Sequence, residues 1–392
     1  MPRLWNLPVN WRESYSVTLT LKTEPITSRS RREQRRAWRQ TPRKQISHLV
    51  TCPKERYLLL AQHMSAGQGG EFYVPDMSLV IYTTSAAPVT GDRLTVEEAP
   101  FWAVAGTKAI LMTPGLFVLK TISSVDGSDI VFEEMFDEAW LPGAKIVPAL
   151  LSHVQTQVDS RAIGSSVVEL TVLIDVEPGT EVVETPDLPT TVFNGREVFE
   201  LKPNWAEPLG LTFVSGRETV DYDMGRTADF LPSAFPEEQI KAAYLGRGLE
   251  EIKAIRHFFL RMMGQQDEFY MPTWMRDIVP KNALTSAGTT MTVAGTDFAA
   301  AYNDTVHKAI AVFLNDGTVR YRKVSSLAVA GSDSVITCVG TWGSNIPLTS
   351  IRMVSWMPVW RLLSDGLVLE FLTQSVAQTT LSMKTLEDLA GD

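Results

Sequence analysis

The chain has 392 residues, of which 44% are hydrophobic and 21% charged, with 22 prolines and 25 glycines. That composition excludes a largely disordered or collagen-like chain, and the length favours two domains over one. A net charge of -9, from 36 basic against 45 acidic residues, argues against a general nucleic-acid binder.

Met1 to Glu13 has no apolar signal-peptide core, and no apolar run is long enough to cross a bilayer, so a protein made in a cytoplasm is expected. Tyr15 to Leu21 alternates polar and apolar residues and predicts a half-buried strand. A basic run follows: Arg29, Arg31, Arg32, Arg35, Arg36, Arg39, Arg43 and Lys44 face only Glu33, with Trp38 among them. It suits a solvated loop, a nucleic-acid or membrane-surface patch, or an arm that meets an acidic neighbour. A helix is then predicted from Thr51-Cys52-Pro53, with Tyr57, Leu60, Ala61 and Met64 as its apolar stripe and Gly67, Gly69 and Gly70 as its stop.

From this point the chain repeats itself. Gly67 to Pro75 reads GQGGEFYVP, and Gly264 to Pro272 reads GQQDEFYMP. Each is followed by a strand opening on Lys-Ala-Ile (at Lys108 and Lys308), a turn, a basic strand, a pair of serines and a Gly-Ser-Asp turn. A lone tryptophan comes next, Trp140 or Trp342, and then a strand-rich tail, Ile163 to Val176 or Gly366 to Met383. The economical account is a tandem duplication. It gives a first domain over 1–178 with a basic arm at 25–45, a linker rich in proline, threonine and glutamate over 179–206, and a second domain over 207–392. Val192 to Leu201 is a candidate short strand inside the linker.

The second copy carries the longer helix, with Ile252, Ile255, Phe259 and Met262 on one face and Gly264 as its stop. Asn315-Asp316-Gly317 and Asp365-Gly366 each predict a hairpin, as Pro114-Gly115 does in the first copy. The fold class expected is mainly β: two tandem antiparallel barrel or sandwich domains, each with one packed helix. Where the first copy has its basic run, the second, Asp229 to Ala243, has Asp229, Glu237 and Glu238 with only Lys241 basic. Opposite charge at matching places suits packing of one copy, or one subunit, against another.

Residues for chemistry are scarce. The five histidines have no metal-ligand spacing, and Cys52 and Cys338 are read as reduced and structural. No phosphate-binding loop or nucleophile elbow is present. Asp221 and Asp223 suit a pair of glycosidase carboxylates or a turn bound to Arg217 or Arg226. No catalytic residue, metal or cofactor is assigned. Trp5, Trp11, Trp205, Trp274 and Trp356 include several in loop-like segments and are candidates for burial at interfaces or in the domain cores.

The stretch His257 to Asp277, HFFLRMMGQQDEFYMPTWMRD, runs from a helix through glycine into an aromatic-rich strand and a Trp-Asp pair. It resembles tail-tip proteins of long-tailed bacteriophages, the distal-tail and baseplate-hub families that share the tail-tube fold. Tyr57 to Asp76 matches less fully, keeping Asp76 without a tryptophan. The resemblance implies a non-enzymatic virion protein at the tail tip, assembled in the host cytoplasm, in a ring that joins the tail tube to the hub or fibres. It also implies that the arm from Arg29 to Lys44 (Arg29, Arg31, Arg32, Arg35, Arg36, Trp38, Arg39, Arg43), the helices ending at Gly67 and Gly264, and Trp274 with Asp277 face neighbours. A trimer would present six such units and a hexamer twelve, with no nucleic-acid specificity and no membrane insertion. A cell-wall glycan hydrolase and a receptor- or carbohydrate-binding tail module are the alternatives.

Overall fold

The computed structural model describes residues 2–27, 33–65, 71–155, 158–214, 217–221, 223, 225–230 and 237–388. The first half begins β1 (Arg3–Leu4), β2 (Tyr15–Thr20), β3 (Thr23–Thr27), β4 (Glu33–Ala37), β5 (Arg43–Pro53) and α1 (Lys54–Ser65). It continues β6 (Glu71–Pro75), β7 (Ile81–Tyr82), β8 (Arg93–Thr95), β9 (Lys108–Thr113), β10 (Leu116–Asp126) and β11 (Asp129–Phe132). It ends with β12 (Lys145–Val154), β13 (Asp159–Ala162) and β14 (Val167–Val176).

The second half opens with β15 (Val192–Phe193), β16 (Arg196–Val198), β17 (Gly210–Val214), β18 (Glu218–Val220), β19 (Ala228–Phe230) and β20 (Glu237–Arg247). Then come α2 (Leu249–Arg261), β21 (Phe269–Tyr270), β22 (Thr290–Ala294), α3 (Asp297–Tyr302), β23 (Ala309–Leu314), β24 (Val319–Ala330) and β25 (Asp333–Cys338). The last strands are β26 (Ile351–Trp356), β27 (Val359–Leu362), β28 (Gly366–Thr373) and β29 (Val376–Leu386). The chain is mainly antiparallel β, with three helices among the described residues.

The halves repeat one another ladder for ladder. In the first, β2 pairs β5, β5 pairs β14, and β14 pairs both β13 and β12. In the second, β17 pairs β20, β20 pairs β29, and β29 pairs both β28 and β27. The series β9, β10, β11, β8 is matched by β23, β24, β25, β22. Even the irregularities agree. The β10–β11 register slips between Ile122 and Ser124, and the β24–β25 register slips between Val324 and Ser326. The paired serines of the sequence therefore mark one β-bulge, present twice.

The region read as a linker contains the start of the second repeat. β16 runs parallel to β21 as β1 runs parallel to β6, and the Phe199 amide donates to the Tyr270 carbonyl as that of Trp5 donates to Tyr73. β15 and β16 lie within Val192 to Leu201, the candidate short strand, and the pairing with β21 makes them part of the second repeat and not of a linker.

Three further expectations change. Asp365-Gly366 is not a hairpin turn, because β27 and β28 lie along the same edge of β29, at its two ends, opposite the edge that β20 fills, and do not pair with each other. Pro53 ends a strand opposite Val167, and α1 starts after it. The second repeat has an extra short helix, α3, whose Ala299 amide bonds the Ser334 hydroxyl.

Most important for assembly, β2 also pairs with β28, from Tyr15 opposite Phe371 to Thr20 opposite Gly366. The order β17–β20–β29–β28–β2–β5–β14–β13 is thus a single antiparallel sheet of eight strands running through both halves. One face is apolar: Val17, Leu19, Ile46, Ile174, Ile240, Leu381 and Met383 share a continuous core with Leu60 of α1 and Ile252 and Phe259 of α2. On the other face Thr18, Ser47, Thr171, Lys241, Thr380 and Ser382 are wholly or partly exposed. Period-two alternation, clearest in β2 and β20, produces this division. A smaller core around Trp140 and its counterpart around Trp342 fill the other end of each repeat.

Candidate assembly interface

The residues that distinguish this chain from two independent β domains lie along the junction of the repeats. The arm is the β3–β4 hairpin, and its Arg29, Arg31 and Arg32 lie outside the described residues. Alternation points Glu33 and Arg35 one way and Gln34 and Arg36 the other. Glu33 bridges Lys384 at 2.7 Å and Arg361 at 3.1 Å, both in the second repeat. Arg35 pairs with Glu33 and donates to the side-chain and backbone oxygens of Gln265. Arg361 continues to Glu268, Glu268 to Arg196, and Arg196 to Asp388.

The docked face of the arm carries Glu33, which meets two cations, and Arg35, which meets Gln265, because only alternate side chains of a hairpin face inward. Burial pushes the Glu33 carboxyl up, yet Lys384 and Arg35 overcome that and hold it at about 2. Of the other arm residues, Arg36 lies over the exposed Trp38 ring, and Trp38 donates to Glu24. Arg39 reaches the Thr20 carbonyl, and Arg43 sits exposed opposite Thr20. Lys44 is buried between Asp76 at 2.8 Å and Glu181 at 3.3 Å.

Asp365 anchors the other side of the arm. One carboxylate oxygen accepts the Thr23 amide at 2.6 Å, the other accepts the Gln265 amide at 3.0 Å, and its carbonyl accepts the Leu21 amide. The Asp-Gly pair that reads as a turn is a clamp between the arm and the end of α2.

Residues 181–187 form a charged strap over α2. Glu184 binds Arg256 and His257, Asp187 binds Lys253, and Glu197 binds Arg261. Burial raises Glu184, but His257 and Arg256 outweigh it and bring the carboxyl down to about 2. The Lys44–Glu181 pair ties the same strap to the first repeat.

Trp274 and Asp277, which the resemblance sets against a neighbour, are engaged inside the second repeat. Trp274 is buried against Phe313 with its φ at 59°, inside the second repeat. Asp277 accepts the Trp356 amide and a hydroxyl bond from Thr273, while burial raises its carboxyl. The aromatic strand leads inward because Tyr270 and Trp274 fill the space between the two cores of the repeat. Trp5 and Trp356 are likewise buried, whereas Trp205 is exposed. Asp221 accepts the Asp223 amide in a local turn.

Sequence reasoning missed the two strands that bound this sheet. β17 pairs only with β20, and β13 only with β14, among the described residues. On β17, Leu211 is 46% and Phe213 67% exposed. The alternation Leu-Thr-Phe in that strand was available as a signal, but exposure of its apolar face follows only from the tertiary pairing. No helix among the described residues is long and apolar enough to cross a membrane. No group of three or more His, Cys, Asp or Glu side chains among them could hold a metal ion. No protein-family model matches the chain, and comparison with curated proteins finds no significant match.

Proposed function

We propose that the chain is a structural ring component of a bacteriophage tail tip, joining the tail tube to the hub or fibres. One observation carries this reading: two copies of one β fold are fused edge to edge, helices on one face of the sheet and a hydroxyl-rich face on the other. A two-faced sheet of this kind suits a wall with a wet lumen. The docked arm, clamp and strap tie the fused repeats together, as a wall segment requires. The resemblance of His257 to Asp277 to tail-tip proteins supplies the virion context.

The test is to image phage particles carrying a small epitope at the C-terminus of this chain, decorated with an antibody fragment. Label at the tip of the tail is expected. Label along the shaft or at the head, or particles without the chain, would overturn the reading.

A further inference from the structure

We infer that chains associate with one another head to tail, the β17 edge of one pairing antiparallel with the β13 edge of the next, in the register that β2 and β28 use within the chain. The inference rests on the assembly reading above and adds to it the partner, a second copy, and the residues that meet.

The chain contains the template for the contact. Ile46 lies opposite both Val17 and Ile174, and Ile240 lies opposite both Leu211 and Met383, so Val17 and Leu211 are equivalent, as are Leu19 and Phe213. Arg161 lies opposite Glu169 and Glu370 opposite Gln378, which makes Ser160 the counterpart of Leu369. Inside the chain Val17 meets Leu369. Between chains Leu211 would therefore meet Ser160, with Phe213 opposite Val158.

The exposures fit a missing neighbour. Val17 and Leu19 are buried where the second repeat covers them, while Leu211 and Phe213 keep their apolar character in the open. An uncovered edge strand with large apolar side chains invites pairing. The helices tell the same story. Arg256 and Leu260 of α2 line one cavity with Val17, Leu19 and Leu369. In the first repeat the Tyr57 hydroxyl lies 3.3 Å from that of Ser160, and α1 carries the exposed Leu58 and Leu59. Pairing would bring Leu211 and Phe213 under α1.

The positions of Lys384 and Arg361, which receive the arm in the second repeat, are held by Asp175 and His153 in the first. A contact between two different patches is heterologous, and repetition of one such contact generates a ring when its rotation closes.

The test uses full-length chains carrying either Leu211→Cys or Ser160→Cys, with the native Cys52 and Cys338 buried. Oxidation of the two variants mixed is expected to give a disulfide-linked dimer and nothing larger, and the double variant a ladder of linked chains. A shifted pair, Leu211→Cys mixed with Asp159→Cys, is expected to remain unlinked. Sedimentation of the wild type accompanies the gels. Association without linkage of the matched pair, or equal linkage of the shifted pair, would overturn the edge contact and leave the assembly reading standing. A chain that stays single at every concentration, with no linkage, would overturn self-pairing, while epitope imaging of particles decides the assembly reading separately.

Discussion

Val17 and Leu211 hold the same place in the two repeats, yet Val17 is 2% exposed and Leu211 46%. The difference lies in what covers them: β28 crosses beside Val17, and no described strand lies beside Leu211 on that edge. The same substitution should therefore act differently at the two sites. Val17→Asp places a carboxylate in the continuous core and should cost about 3 kcal/mol or more, seen as a large drop in the urea midpoint. Leu211→Asp should leave the single chain within about 0.5 kcal/mol of wild type while abolishing its association. Equal losses of stability would contradict the assignment of the two edges.

Glu33 should matter more than the arginines around it. Glu33→Ala leaves Lys384 and Arg361 without their shared partner, and should cost roughly 2 kcal/mol, less than for a fully buried pair because Glu33 keeps some solvent contact. Arg36→Glu, on the outer face of the arm, should change stability by under about 0.5 kcal/mol. Denaturant unfolding of the two variants decides between this docking and one led by the arginines.

The duplication was legible in the chain because its signals are local. The EFYVP and EFYMP motifs both become a strand with a short parallel neighbour, and the serine pairs both become a bulge. What was hidden is long-range. The second repeat begins at β16 because Phe269 and Tyr270 receive it, and Asp365 is a clamp because Thr23 arrives from the far end of the sequence. Charge counting summed both faces of the hairpin, and so gave no sign that Glu33 is the residue that docks on Lys384 and Arg361. Whether Trp274 fills a core or an interface is not written in its loop-like segment, since its packing partner Phe313 comes from a strand distant in sequence.

Gly264 should tolerate no side chain. Its φ is 67°, and a Cβ there would stand 2.6 Å from Oδ1 of Asp365. Gly264→Ala should cost about 1–2 kcal/mol from the backbone alone. It should also speed hydrogen exchange at the Thr23 and Gln265 amides, both held by Asp365. Unchanged exchange at those amides would argue against the clamp.

Acid should weaken the fold in two windows. Burial among Trp5 and Tyr15 lowers His48 from 6.5 to about 4. The unfolded chain takes that proton first, so stability falls as pH drops from 6.5 to 4, by about 3 kcal/mol in all. Glu33 and Glu184 are lowered from 4.5 to about 2, so their contribution is present above 4.5 and lost as pH falls towards 2. His48→Leu should flatten the upper window alone. Identical pH slopes for wild type and variant between 6.5 and 4 would refute the first assignment.

The most direct measurement is electron cryomicroscopy of the full-length protein at concentrations where it associates. Closed rings are predicted, with twice as many lobes as chains and every boundary between lobes crossed by a continuous β-sheet. Particles in which Leu211 and Phe213 face solvent, or in which chains meet through any surface other than the β17 and β13 edges, would contradict the account.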